Sequence, residues 1–85
     1  MQTLKGKLTI MDIERKLLDL LVRETEKTEE EIKSAKIWGD LDMDSLLTMD
    51  VILNVEDLFD INIDEKQVEF IKNYADLVKY LKENL

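Results

Sequence analysis

The sequence predicts an all-α fold: a four-helix bundle with a long loop between helices 1 and 2 and a short third helix. Three observations point there. Apolar residues recur with helical period in three separate windows. Proline is absent and glycine occurs only at Gly6 and Gly39, too little punctuation for the many tight turns of a β-sandwich or barrel. The 85 residues, 45% of them apolar, suffice for one modest core and are too apolar for intrinsic disorder.

Residues 1–9, "MQTLKGKLT", lack a helical period and read as a flexible N-terminal extension, with the domain spanning 10–85. The first helix is predicted from Ile10 to Glu24, because Ile13, Leu17, Leu20 and Leu21 fall on one face. Met11, Leu18 and Val22 widen that face, while Glu14, Arg15, Asp19 and Arg23 are left for solvent. A connector follows from Thr25 to Met43. Within it Thr28 and Glu31 have capping-box spacing and predict a helical turn, and Ile32, Ile37, Trp38 and Leu41 are expected to pin the rest to the core. A connector of this length in so small a domain points to a functional loop.

The second helix runs from Asp44 or Ser45 to Phe59 or Asp60, with Val51, Val55, Leu58 and Phe59 inward. A second apolar stripe, Leu46, Met49 and Leu53, lies beside Asp50 and Asp57 and exceeds what one small core needs. "INIDE" reads as an extended link with Ile61 and Ile63 facing the core. A short helix is expected over Glu65 to Phe70 or Ile71. The last helix follows Asn73, whose spacing to Asp76 is that of a cap, with Leu77, Val78, Tyr80 and Leu81 apolar.

Composition narrows the chemistry. Without cysteine or histidine there is no disulfide, thiolate nucleophile, zinc–sulfur site or imidazole base, so a self-contained hydrolase or transferase is not expected. No apolar run reaches the roughly 20 residues of a membrane span and no signal peptide is evident, so a cytoplasmic location is the default and a monomer the simplest state. The net charge of −8 is concentrated. Residues 1–39 carry eight basic and eight acidic side chains, and 66–85 four and three. Residues 40–65 hold nine acids (Asp40, Asp42, Asp44, Asp50, Glu56, Asp57, Asp60, Asp64, Glu65) and no base. Nucleic acid is a poor partner for that surface, and a basic protein surface is its complement.

The acidic segment opens with "DLDMDSL", residues 40–46. Asp40, Asp42 and Asp44 match the first, third and fifth positions of a calcium loop. The sixth should be glycine and the twelfth glutamate, but they are Ser45 and Val51, so the calcium reading fails. As a helix cap, Asp44 or Ser45 satisfies first-turn amides, which is worth about 1 kcal/mol. Ser45, at the start of a helix after a long loop, is exposed on a rigid element where a phosphate would meet free N–H groups. With no base beside it, the serine suits modification by another enzyme rather than catalysis.

These residues carry a resemblance. "DLDMDSLLTMDVILNVEDLFDINI" resembles the acyl carrier protein family, whose hallmark is Asp-Ser-Leu opening the second helix, and the likeness extends from "IERKLLDLL" to "VEFIKNYADLVKYL". The resemblance implies that Ser45 receives 4′-phosphopantetheine from coenzyme A through a holo-acyl-carrier-protein synthase (phosphopantetheinyl transferase) that uses magnesium. The arm's thiol would then carry acyl groups as thioesters for fatty acid, polyketide or related biosynthesis. Asp44 is the motif neighbour, and Leu46, Met49, Asp50, Leu53, Glu56 and Asp57 match the family's partner-recognition positions, facing acyl-loading and acyl-processing enzymes with basic docking surfaces. Ile13, Leu17, Leu20, Val51, Val55, Phe59, Ile63, Ile71, Val78 and Leu81 form the core, which by the same resemblance encloses a short acyl chain. Three positions depart from the family pattern: Asp42 stands where glycine is usual, Leu47 where an acid is common, and Asp64 where proline is frequent. They point toward a specialised carrier. The alternative is an acidic helical interaction module that is never pantetheinylated.

Overall fold

The computed structural model describes residues 9–85. The expected extension, apart from Thr9, lies outside the described residues. Helix α1 spans Ile10–Thr25, α2 Glu29–Ser34, α3 Ser45–Phe59, α4 Glu65–Val68 and α5 Tyr74–Asn84, with a 3-10 turn over Trp38–Leu41. The expected four helices are α1, α3, α4 and α5. The connector's predicted turn is α2.

Thr9 starts α1. Its Oγ1 accepts from the Asp12 amide, and the Asp12 carboxylate accepts from the Thr9 amide, both at 3.1 Å, so two amides at the helix start are satisfied reciprocally. Ile13, Leu17, Leu18, Leu20 and Leu21 are buried on one face, while Met11, expected to widen it, is exposed. The helix stops at Glu26, whose left-handed backbone (φ 61°) lets its amide reach the Val22 carbonyl.

The connector is ordered by stapling to three other elements. Thr28 and Glu31 form a second capping box at the start of α2, and Ile32 is fully buried. The Arg15 guanidinium bonds both Glu29 carboxylate oxygens at 3.0 and 3.2 Å, tying α1 to α2. Trp38, Leu41 and Met43 enter the core. The Trp38 indole Nε1 donates to the Ile71 carbonyl at 2.9 Å, and the Asn73 side-chain Nδ2 donates to the Lys36 carbonyl at 3.0 Å, so the loop's far half is fixed to the α4–α5 junction. Ile37, expected to pin the loop, instead remains exposed and lies against Gly39.

In α3 the buried residues are Val51, Ile52, Val55 and Phe59. Ile52 replaces Leu58, which was expected inward and is exposed near the helix end. After the left-handed Asp60, the Glu56 carboxylate accepts from the Ile63 amide at 2.6 Å and turns the link back so that Ile63 is buried. Helix α4 has no buried residue of its own and is held by Ile63 and Ile71 on either side. Asn73 caps α5 through the Asp76 amide at 2.8 Å, and Tyr74, Leu77, Val78 and Leu81 are buried. Tyr80, expected on that face, is only partly buried. Helix α1 packs against α2, α3 and α5, and α2 also meets α5. All ten residues expected in the core are buried.

Candidate attachment site and docking face

The three aspartates before Ser45 have three different tasks. Asp40 Oδ2 accepts from the amides of Lys36 and Ile37 at 3.0 and 3.3 Å, closing the loop onto the 3-10 turn. Asp42 ends that turn in the left-handed region (φ 60°), and its Oδ2 accepts from Lys27 Nζ at 2.9 Å. That backbone conformation is where glycine is cheapest, which fits the glycine that the resemblance leads one to expect at this position. Aspartate is among the few other residues that visit it readily. The ion pair holds the Asp42 carboxyl below its ordinary range, chiefly through the hydrogen bond from Lys27, and raises Lys27 in turn. Asp44 is the N-cap of α3, its Oδ1 accepting from the Leu47 amide at 2.8 Å.

Ser45 is the first residue of α3 and is exposed. The first regular bond of the helix runs from the Thr48 amide to the Asp44 carbonyl at 2.9 Å, and of the first-turn amides ahead of it, which lack an intrahelical partner, that of Leu47 is bonded to Asp44 Oδ1. The Ser45 and Leu46 amides remain for an anion at the positive end of the helix dipole. A phosphate ester on Ser45 Oγ would fit there. The chain contains no histidine, and the neighbouring carboxylate is already the cap, so the serine has no base of its own.

On α3 the side facing away from the core carries Leu46 (81% exposed), Met49 (44%) and Leu53 (55%). Asp50 and Asp57 are exposed on the same flank, whereas Glu56 is half-buried at its edge with one oxygen committed to the Ile63 amide. The structure therefore brings Leu46, Met49, Asp50, Leu53 and Asp57 onto one surface running from Ser45, and gives Glu56 a structural bond as well. Leu47, where the resemblance leads one to expect an acid, is partly buried against the core. The Lys27–Asp42 pair was not foreseen, because nothing in sequence links residues 15 apart across a loop.

A family model described as a phosphopantetheine attachment site matches residues 15–81. An acyl carrier protein from Syntrophus aciditrophicus is 34% identical over 73 residues, covering 85% of this chain and 91% of that protein. One from Amoebophilus asiaticus is 37% identical over 75 residues, covering 87% and 94%. This chain belongs to the acyl carrier protein family. A non-reducing polyketide synthase from Didymella fabae is also similar, 46% identical over 44 residues, which is 52% of this chain and 2% of that protein. The carrier's cofactor is thus covalently attached 4′-phosphopantetheine, and its function is to carry acyl groups in fatty acid or polyketide biosynthesis. Among the described residues no helix is long and apolar enough to cross a membrane.

Proposed function

We propose that Ser45 is the attachment point and that α3 is the docking face. The observation that carries this is an exposed serine at the first position of a rigid helix, with two first-turn amides free, inside the family match. A phosphopantetheinyl transferase supplies the base that takes the Ser45 hydroxyl proton. The Ser45 Oγ–phosphorus bond forms as the phosphoanhydride bond of coenzyme A breaks, and adenosine bisphosphate leaves. The attached group ends in a thiol, which holds the acyl chain as a thioester.

The chain's own residues present and position the arm. Asp44 fixes the start of α3, and the Ser45 and Leu46 amides meet the phosphate. Leu46, Met49 and Leu53 offer apolar contact to a partner enzyme, and Asp50, Glu56 and Asp57 steer it electrostatically. Basic enzyme surfaces dock faster on such a face, and added salt slows them. The catalysis belongs to those enzymes, and the compartment is the cytoplasm.

The test is intact mass after incubation with coenzyme A, magnesium and a promiscuous transferase, beside Ser45→Ala. One phosphopantetheine gained by the wild type alone supports the reading. Equal gain by both proteins moves the attachment elsewhere. No gain by either, with a known carrier modified in the same tube, favours the unmodified interaction module.

A further inference from the structure

The acidic approach to Ser45 poses an electrostatic problem. The donor that must reach this serine is itself anionic, and Asp40, Asp42 and Asp44 precede Ser45 within five residues of chain. Two of the three are partly compensated. Asp40 accepts two backbone amides, and Asp44 accepts the Leu47 amide at a helix N-terminus, where the dipole offsets negative charge. Asp42 differs. Its side chain is 82% exposed and its hydrogen-bond partner is Lys27 Nζ at 2.9 Å. Asp42 and Ser45 are three residues apart, so their Cα atoms lie within about 11 Å, comparable to the screening length of about 10 Å in 0.1 M salt. An unpaired charge at Asp42 is therefore felt at the serine.

Lys27 is placed for this task by its own surroundings. It follows the left-handed Glu26 that ends α1, and its amide donates to Thr25 Oγ1 at 3.1 Å. Its side chain is only 29% exposed, less than that of its carboxylate partner, so the stem is sheltered while the ammonium reaches Asp42. Among the described residues it is the one cation paired with any acid of the 40–65 segment.

We propose that Lys27 is the counter-ion that neutralises Asp42 and so lowers the electrostatic barrier to phosphoryl transfer onto Ser45. Lys27 is a positioning residue, acting through Asp42, and the inference rests on Ser45 being the attachment point.

The experiment measures the single-turnover rate of phosphopantetheinylation at saturating transferase for wild type, Lys27→Met, Asp42→Asn and the double variant. Lys27→Met is expected to slow the step about three- to fivefold, the scale of one exposed ion pair, without raising the KM for the carrier. The double variant is expected to recover the wild-type rate, because the charge that needed pairing is gone. If Lys27→Met reacts at the wild-type rate, or the double variant stays as slow as Lys27→Met, the proposal is overturned. In the second case the lysine acts as a tether for the turn. A wild type that is not modified at all defeats the Ser45 reading instead, so the two failures are distinguishable. Proton titration of Asp42 by NMR supplies a readout independent of the transferase. Its carboxyl should titrate below the ordinary range in the wild type and return toward it in Lys27→Met, and identical titration in both overturns the pairing.

Discussion

Helices α1 and α3 are nearly equal in length and both pack into the one core, yet they treat their outer faces in opposite ways. Along α1 the face away from the core is charged and balanced, and Arg15 pairs with both Asp19 and Glu29. Along α3 the outer face is acidic and apolar together, with no basic residue on the helix and no ion pair among the described residues. Exposed apolar side chains on α1 are confined to its first turn, at Ile10 and Met11, whereas α3 exposes Leu46, Met49, Leu53 and Leu58 along its length. A helix that serves only the fold has every reason to look like α1. The surface of α3 adds self-repulsion without helping the fold, which is what the proposed docking role leads one to expect.

The largest effect separates presentation from folding. Ser45→Ala is expected to abolish phosphopantetheinylation while leaving the melting temperature close to wild type, since the side chain is exposed and Asp44 retains the cap. A large loss of stability in that variant would show that Ser45 belongs to the scaffold. Next come paired truncations on the two faces. Leu17→Ala removes a fully buried side chain of α1 and should cost about 2–5 kcal/mol. Leu53→Ala should change stability by no more than about 0.5 kcal/mol and instead weaken binding to a basic processing enzyme. Urea unfolding and partner titration on both variants read the contrast directly. If Leu53→Ala destabilises as much as Leu17→Ala, the outer stripe is core after all.

Trp38→Phe tests the staple between the connector and the α4–α5 junction. The Ile71 carbonyl would lose its indole donor in a buried setting, which should cost about 1–3 kcal/mol. Thermal unfolding would register the change, and a neutral result would mean that water replaces the indole. Salt sharpens the comparison more gently. Screening relieves the repulsion among the nine acids of 40–65 more than it weakens the exposed pairs around Arg15, so stability should rise with ionic strength. A melting temperature that falls with salt would place the electrostatic weight on α1.

The core was legible because burial follows period. Ile13, Leu17, Val55 and Leu81 needed nothing beyond their spacing, and Thr28 with Glu31 announced α2 through local cap chemistry. The errors fall where a helix end or a loop decides burial. Ile52 takes the place expected for Leu58 because it shares its face with Val55 and Phe59 at i, i+3 and i+7, whereas Leu58 turns off that stripe at the helix end. Ile37 and Trp38 are adjacent and equally apolar, but only the indole has a donor for the Ile71 carbonyl. Tyr74 could have been found, since it precedes Leu77, Val78 and Leu81 at i, i+3, i+4 and i+7. For the candidate site, the Asp-Ser-Leu motif placed Ser45 at the start of α3 beside its Asp44 cap, whereas the Lys27–Asp42 pair and the bond from the Ile63 amide to Glu56 depend on contacts between separate segments.

Tyr74 gives the smallest expected effect and a sign that can be worked out in advance. Its hydroxyl is buried without a hydrogen-bond partner. Burial, with a lesser contribution from Glu14, pushes its pKa up to about 12. The fold therefore prefers the neutral phenol. The stability tied to that preference is complete below the ordinary tyrosine value of about 10 and is lost as pH rises toward the folded-state value. Tyr74→Phe removes both the orphaned hydroxyl and the titration. It should be neutral or gain up to about 1 kcal/mol at pH 7, and the gap between variant and wild type should widen above about pH 10. Because every other residue is common to both proteins, the difference between their unfolding curves isolates Tyr74. A variant less stable than wild type at neutral pH would mean that the hydroxyl has a partner in solution, most simply a water shared with Glu14 or Glu29 at the meeting of α1, α2 and α5.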